Sequence, residues 1–152
     1  MHKVPRAPLA LPLGALAFLL ALPRAMAVAQ DIGPTIDLRP GQEVTFPVTI
    51  TDGKVTPGAA RASKPGAAPP KEGEITVGFV KQGLSPYAML VATEKTSAPV
   101  DFIAAGLIGN IKIDEVKLCG RLEAPSSTRI ASGSWRISLS RFSVGEGLQA
   151  CR

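Results

Sequence analysis

Histidine is all but missing from this chain: His2 is its only one. Without imidazole beyond residue 2 there is no Ser-His or Cys-His pair, no imidazole base and no histidine metal site. Other catalytic signatures are missing too. No serine is followed three positions later by lysine, the spacing of the lysine-assisted arrangement. No glycine-rich phosphate loop, zinc spacing or calcium loop occurs. Asp114-Glu115 is the only adjacent pair of acids. Neighbours on a strand point to opposite faces, so the pair reads as a polar turn between two strands. The chain is therefore expected not to be an enzyme and to need neither cofactor nor metal.

A membrane-spanning run is also lacking. The longest apolar stretch, Leu9 to Leu22, is short of the roughly twenty residues a spanning helix needs. Its context gives it another meaning. His2, Lys3 and Arg6 precede it, and the small-x-small triplets Ala25-Met26-Ala27 and Ala27-Val28-Ala29 follow. That is the layout of a secretory signal peptide, residues 1–29, with cleavage expected after Ala29 and, as second choice, after Ala27. No Arg-Arg pair precedes the run, which points to the general secretory route. The expected location is thus exported, either periplasmic or secreted, with no transmembrane segment after processing.

Charge of one sign is weaker than it first looks. The formal net charge is +5, but Lys3, Arg6 and Arg24 belong to the leader; without them 14 basic residues face 12 acidic ones. A domain at +2 is no candidate for nucleic-acid binding. The remaining residues, 30–152, are enough for one domain with a modest core.

Cysteine is scarce, and both copies lie late in the chain, at Cys119 and Cys151. In an oxidising compartment an even count points to a bridge. A Cys119–Cys151 disulfide would close a loop of about 33 residues and stabilise by about 3–4 kcal/mol in the chain-entropy model. It would also tie down the C-terminal tail. A redox pair is normally spaced Cys-x-x-Cys, which these are not.

What is present is a period of two. In "EVTFPVTIT", Val44, Phe46, Val48 and Ile50 alternate with Thr45, Pro47, Thr49 and Thr51, the pattern of a half-buried strand. Pro47 cannot donate to a ladder, which predicts an edge strand. Ile75, Val77 and Phe79 share a face, as do Val100 and Phe102, while "PYAMLVATEK" is apolar on both faces and reads as a central strand. "NIKID" and "EVKLCGRL" read as two further strands, with Cys119 facing away from Val116 and Leu118. In "SWRISLSRFSV", Trp135, Ile137 and Leu139 share one face, which places Trp135, the only tryptophan, in the core. The phase then slips at Phe142 and Val144, and a bulge near Arg141 would repair it. The sum is an all-β, antiparallel β-sandwich of seven or eight short strands, immunoglobulin-like, with a small barrel as the alternative.

One segment breaks the pattern: "GKVTPGAARASKPGAAPPKEG", Gly53 to Gly73, rich in Pro, Gly and Ala. It is expected as a flexible loop inserted in the single domain 30–152. Asp52-Gly53 is a two-residue hairpin signal, so a short strand at Lys54 to Thr56 is expected to precede the loose part. Lys54, Arg61, Lys64 and Lys71 within it are candidates for touching an anionic surface, although so sparse a set also suits a solvated tether.

From Met89 to Val144 a strand ending "ATEKTSAPVDFIA", then "VKLCGRLEAPSS", then "SWRISLSRF" resembles small exported β-sandwich proteins of proteobacteria. The resemblance implies a compartment and a fold; it implies no activity. The functional expectation is an exported, non-catalytic envelope protein, a monomeric binding or structural accessory whose partner is an unknown envelope protein or polymer. Alternatives are an assembly subunit that pairs by edge strands and a carboxylate-dependent hydrolase.

Overall fold

The computed structural model describes residues 34–66, 68–81, 83–122 and 124–145. The expected leader, residues 1–29, lies outside them, as does Cys151.

Ten antiparallel strands form two sheets. They are β1 (Ile36–Leu38), β2 (Glu43–Thr51), β3 (Lys54–Pro57), β4 (Arg61–Ser63), β5 (Glu74–Lys81), β6 (Tyr87–Lys95), β7 (Val100–Ile108), β8 (Ile111–Leu118), β9 (Ser126–Ala131) and β10 (Arg136–Val144). One sheet runs β1-β10-β7-β8; the other, strongly curled, runs β3-β2-β5-β6-β9, with β4 also on β2. The all-β, antiparallel architecture agrees with the reading of the alternation.

The alternating residues meet between the sheets. Phe46, Ile75, Val77, Phe79, Leu90, Phe102, Ile130, Ile137 and Leu139 are all fully buried. β6, apolar on both faces, is central between β5 and β9. The phase slip in β10 is a bulge: its register against β7 shifts between Ser140 and Ser143, and Arg141 takes a φ of 53°. One extra residue turns Phe142 toward the interior. Its ring sits 5.6 Å from both Phe46 and Phe102, edge-on to the first at 71°, a geometry that aromatic quadrupoles favour.

Pro47 does not mark an edge. β2 is flanked by β5 on one side and by β3 and β4 on the other. β4 pairs with Glu43–Thr45 and β3 with Val48–Thr51, so the neighbouring chain breaks opposite Pro47. The Pro47 carbonyl accepts from Gly58 N–H at 2.8 Å within that break. The missing donor of Pro47 thus falls where no ladder bond is required.

The segment Gly53–Gly73 is more structured than a loose insertion. Asp52 and Gly53 both take positive φ (51° and 74°), the two-residue hairpin turn that Asp-Gly signals. β3 follows as expected, with Val55 buried, and β4 then continues along the same edge of β2. Arg61 on β4 holds Glu74 with two hydrogen bonds of 2.8 Å, and Lys71 N–H donates to the same carboxylate at 2.9 Å. These contacts fasten a stretch whose composition offers little apolar surface.

"NIKID" and "EVKL" are one strand, β8, and Asp114-Glu115 lies inside it rather than at a turn. The register against β7 jumps from Gly106↔Asp114 to Leu107↔Lys112. Asp114 serves this irregularity: its carboxylate accepts from Glu115 N–H at 2.8 Å and from Ala131 N–H at 2.7 Å.

Candidate functional site

Four turns gather at one end of the sandwich. The β1–β2 turn is held to β5 by Gly41 N–H on Phe79 O (2.9 Å) and Phe79 N–H on Gln42 O (3.0 Å). The β5–β6 turn meets the β9–β10 turn through Ser132 N–H on Pro86 O, 3.0 Å. That second turn meets the end of β7 through Trp135 N–H on Leu107 O, 2.8 Å. The β7–β8 hairpin closes beside it at Gly109-Asn110.

Large apolar side chains crown this end. Leu84 is 104% exposed, Ile111 71%, Trp135 67% and Tyr87 51%, with Val80, Ile108 and Ile113 also exposed. The core placement expected for Trp135 is therefore corrected. The reason is local. Ser134 is fully buried, and its hydroxyl donates to Ala131 O at 2.8 Å. Gly106 makes room for that hydroxyl; a Cβ there would collide with Ser134 Oγ. With Ser134 closing the top of the core, Trp135 stands one residue before β10 begins, where alternation no longer assigns a side.

Basic groups stand behind the apolar crown. Arg39, Lys81 and Arg129 have no acidic partner among the described residues, whereas Arg136 is bonded to Asp37 (3.3 Å) and Lys112 to Glu115 (2.8 Å). Arg136 also donates to Gly109 O at 3.2 Å, which steadies the hairpin tip.

The opposite end holds buried carboxyls. Glu94 on β6 faces inward, and its Oε2 accepts from Val100 N–H at 3.1 Å while Oε1 is buried without a partner. Desolvation, opposed by the Val100 hydrogen bond and reinforced by the nearby charge of Asp101, pushes its pKa up to about 7. Asp101 lies on the outer side of β7. It is paired with Lys117 at 3.0 Å and accepts from Gly120 N–H at 3.1 Å. Cys119, one residue past β8, lies on the Asp101 side rather than with the buried Leu118, and its Sγ is 3.6 Å from Asp101 Oδ2. The other half of the expected bridge, Cys151, is outside the described residues. A cleft of about 150 Å³ opens at this end, lined by Thr93, Glu94, Lys95, Arg121 and Leu122 among others.

A larger cleft, about 320 Å³, is lined by Gly66, Ala68, Pro69 and Pro70 together with Glu43, Thr76 and Thr93. Glu43 Oε2 accepts from Gly66 N–H at 3.1 Å, and the Thr45 and Thr76 hydroxyls are bonded to each other at 2.8 Å. The polar groups facing this cleft are thus largely engaged already.

The four basic residues singled out in Gly53–Gly73 do not form one patch. Glu74 draws Arg61 and Lys71 together, and the Arg61 charge is matched there. Lys54 pairs opposite Thr51 while Arg61 pairs opposite Thr45, six residues along β2 and so about 20 Å away. Lys64 is exposed just after β4.

Among the described residues, no three His, Cys, Asp or Glu side chains gather as a metal site, and no helix is long and apolar enough to cross a membrane. Comparison with protein-family models, curated proteins and solved structures returned no match.

Proposed function

We propose that this protein is an exported, non-catalytic accessory of a bacterial envelope, which binds through the end of the sandwich carrying Leu84, Tyr87, Ile111 and Trp135. The observation that carries this reading is the exposure of four large apolar side chains on three neighbouring turns. Single exposed apolar residues are ordinary; a group at one end of a domain marks a contact surface. The leader-like residues 1–29 and the two cysteines supply the compartment, with a Cys119–Cys151 bridge holding the tail.

Pairing by edge strands fits less well. The edge strand β8 has β9 beside it, with Ala131 N–H bonded to Asp114, and carries a register irregularity, Lys112 and Lys117, features that blunt an edge. Hydrolysis by carboxylates fits less well again, because Glu94, although it borders the 150 Å³ cleft, is only 2% exposed and its unbonded oxygen is buried.

Fractionation of producing cells tests the reading. The protein is expected outside the cytoplasm, at the mass of residues 30–152, with no thiol alkylated until reduction. It is expected to sediment with the envelope, and a Leu84→Ser/Ile111→Ser variant to appear in the soluble exported fraction. Retention of residues 1–29 in the cytoplasm, or identical fractionation of the variant, would overturn it.

A further inference from the structure

The same end has the layout of a device for entering the surface of an anionic bilayer, and we propose that its ligand is an anionic phospholipid surface. The proposal rests on the binding reading above and names its partner. Three observations carry it.

The first is shape. Leu84, Ile111 and Trp135 stand on three separate turns, and Leu84 is as exposed as in an extended chain. They form a set of protrusions. A protein partner of ordinary size needs a continuous patch of about 800 Å² per side, whereas a fluid bilayer closes around separate points.

The second is side-chain chemistry. Trp and Tyr favour the headgroup level, where an apolar ring and one polar atom are both served, while Leu and Ile favour the acyl boundary beneath. Tyr87 and Trp135 have this dual character, and Leu84 belongs to the β5–β6 turn itself, three residues before Tyr87.

The third is the order of charge behind apolar surface. Lys81 ends β5, just before the turn that carries Leu84. Arg129 is two residues short of the end of β9, and Arg39 opens the β1–β2 turn just after β1. At about 3.3 Å per residue Arg129 stands roughly 7 Å short of the end of β9, while Lys81 and Arg39 flank their turns directly. Interfacial segments bury their apolar side by about 5–10 Å, so the tips would reach the acyl boundary as the cations reach phosphate. The acids at this end are engaged: Asp37 by Arg136, Glu115 by Lys112 and Asp114 by backbone N–H groups.

Trp135 supplies its own assay, because it is the only tryptophan in the chain. The exported protein is titrated with vesicles of phosphatidylethanolamine and phosphatidylglycerol, and separately with pure phosphatidylcholine. Trp135 emission is expected to shift to the blue and to be quenched by brominated lipid. Apparent affinity is expected to be at least about tenfold higher for the anionic vesicles, given three free cations near the surface, and this preference to vanish in 1 M salt, where screening is nearly complete. Leu84→Ser is expected to weaken the response on both vesicles, and Lys81→Gln/Arg129→Gln to remove the anionic preference alone.

Unchanged emission with both vesicles overturns the proposal. So does a shift that depends on protein concentration in lipid-free buffer, which would make a second copy of the chain the occupant. In either case the envelope fractionation of the Leu84→Ser/Ile111→Ser variant still decides the binding reading separately. A retained apolar leader could bring the protein to vesicles, but it would leave Trp135 emission unmoved and so count against the proposal.

Discussion

Glu94 is the residue on which pH acts most directly. Its folded-state pKa of about 7 lies above the ordinary 4.5, so the folded chain holds the proton more tightly than the unfolded chain does. The contribution is most favourable below about pH 4.5 and is lost progressively as pH rises toward 7. The loss is on the order of 2 kcal/mol, discounting for partial solvent access. Glu94→Gln keeps the shape and removes the charge. Denaturant unfolding at pH 5 and pH 8 is expected to show the native chain less stable at pH 8, and Glu94→Gln nearly equal at both. A native chain of equal stability at both pH values would contradict the burial argument. Nothing in "ATEKTS" announces this: the polar residue sits on the inward phase, but whether a strand's last inward position is covered depends on what the neighbouring sheet places over it. Here Gly120 and the start of β7 do so, and a Cβ on Gly120 would collide with Glu94 and with the Val100 backbone.

At the scale of elements, alternation was legible wherever a strand had a full run inside the core. β2, β5 and β7 present the faces read from their sequences, and the phase slip of β10 did locate a bulge at Arg141. Asp52-Gly53 did mark a hairpin. The failures lie where local pattern meets a neighbour it does not encode. Pro47 is harmless inside a sheet because β3 and β4 part opposite it. Asp114-Glu115 resembles a turn but stays in β8 because Asp114 satisfies the amides of an irregular ladder. Trp135 keeps the parity of Ile137 but lies past the covered length of the strand. Loop-tip apolar residues did leave a signal, since Leu84 in "GLSP" and Ile111 in "GNIK" adjoin turn dipeptides, where a core residue is out of place. The bulge has a measurable cost. A non-glycine residue in the left-handed region is disfavoured by about 1 kcal/mol. Arg141→Gly is expected to raise the unfolding free energy by about 0.5–1 kcal/mol, and Arg141→Val to lower it. If glycine destabilises, Arg141 makes a contribution that outweighs its backbone strain.

Across the whole molecule the two ends differ in kind. One end is closed by buried polar groups: Glu94, Asp101 and Gly120, with Cys119 beside them, where a bridge to Cys151 would fasten the tail. The other end is open and apolar, with cations set behind it. The core between them is assembled from both sheets and explains stability; it says nothing of partners. Alternation foretold the all-β fold, but the end proposed to bind arises from turns distant in sequence, which only the strand order brings together. The Gly53–Gly73 stretch, with its four basic residues, is drawn instead onto β2 and Glu74.

The proposed function stands or falls with the end bearing Leu84 and Trp135 as the binding surface. Site-specific photo-crosslinking in the living cell tests it most directly, with a photoreactive residue at position 84 or, as control, at position 127 on the exposed outer side of β9. The probe at 84 is expected to form an adduct with an envelope component, and the probe at 127 to form none. Labelling that is absent at 84, or equal at both positions, would contradict it.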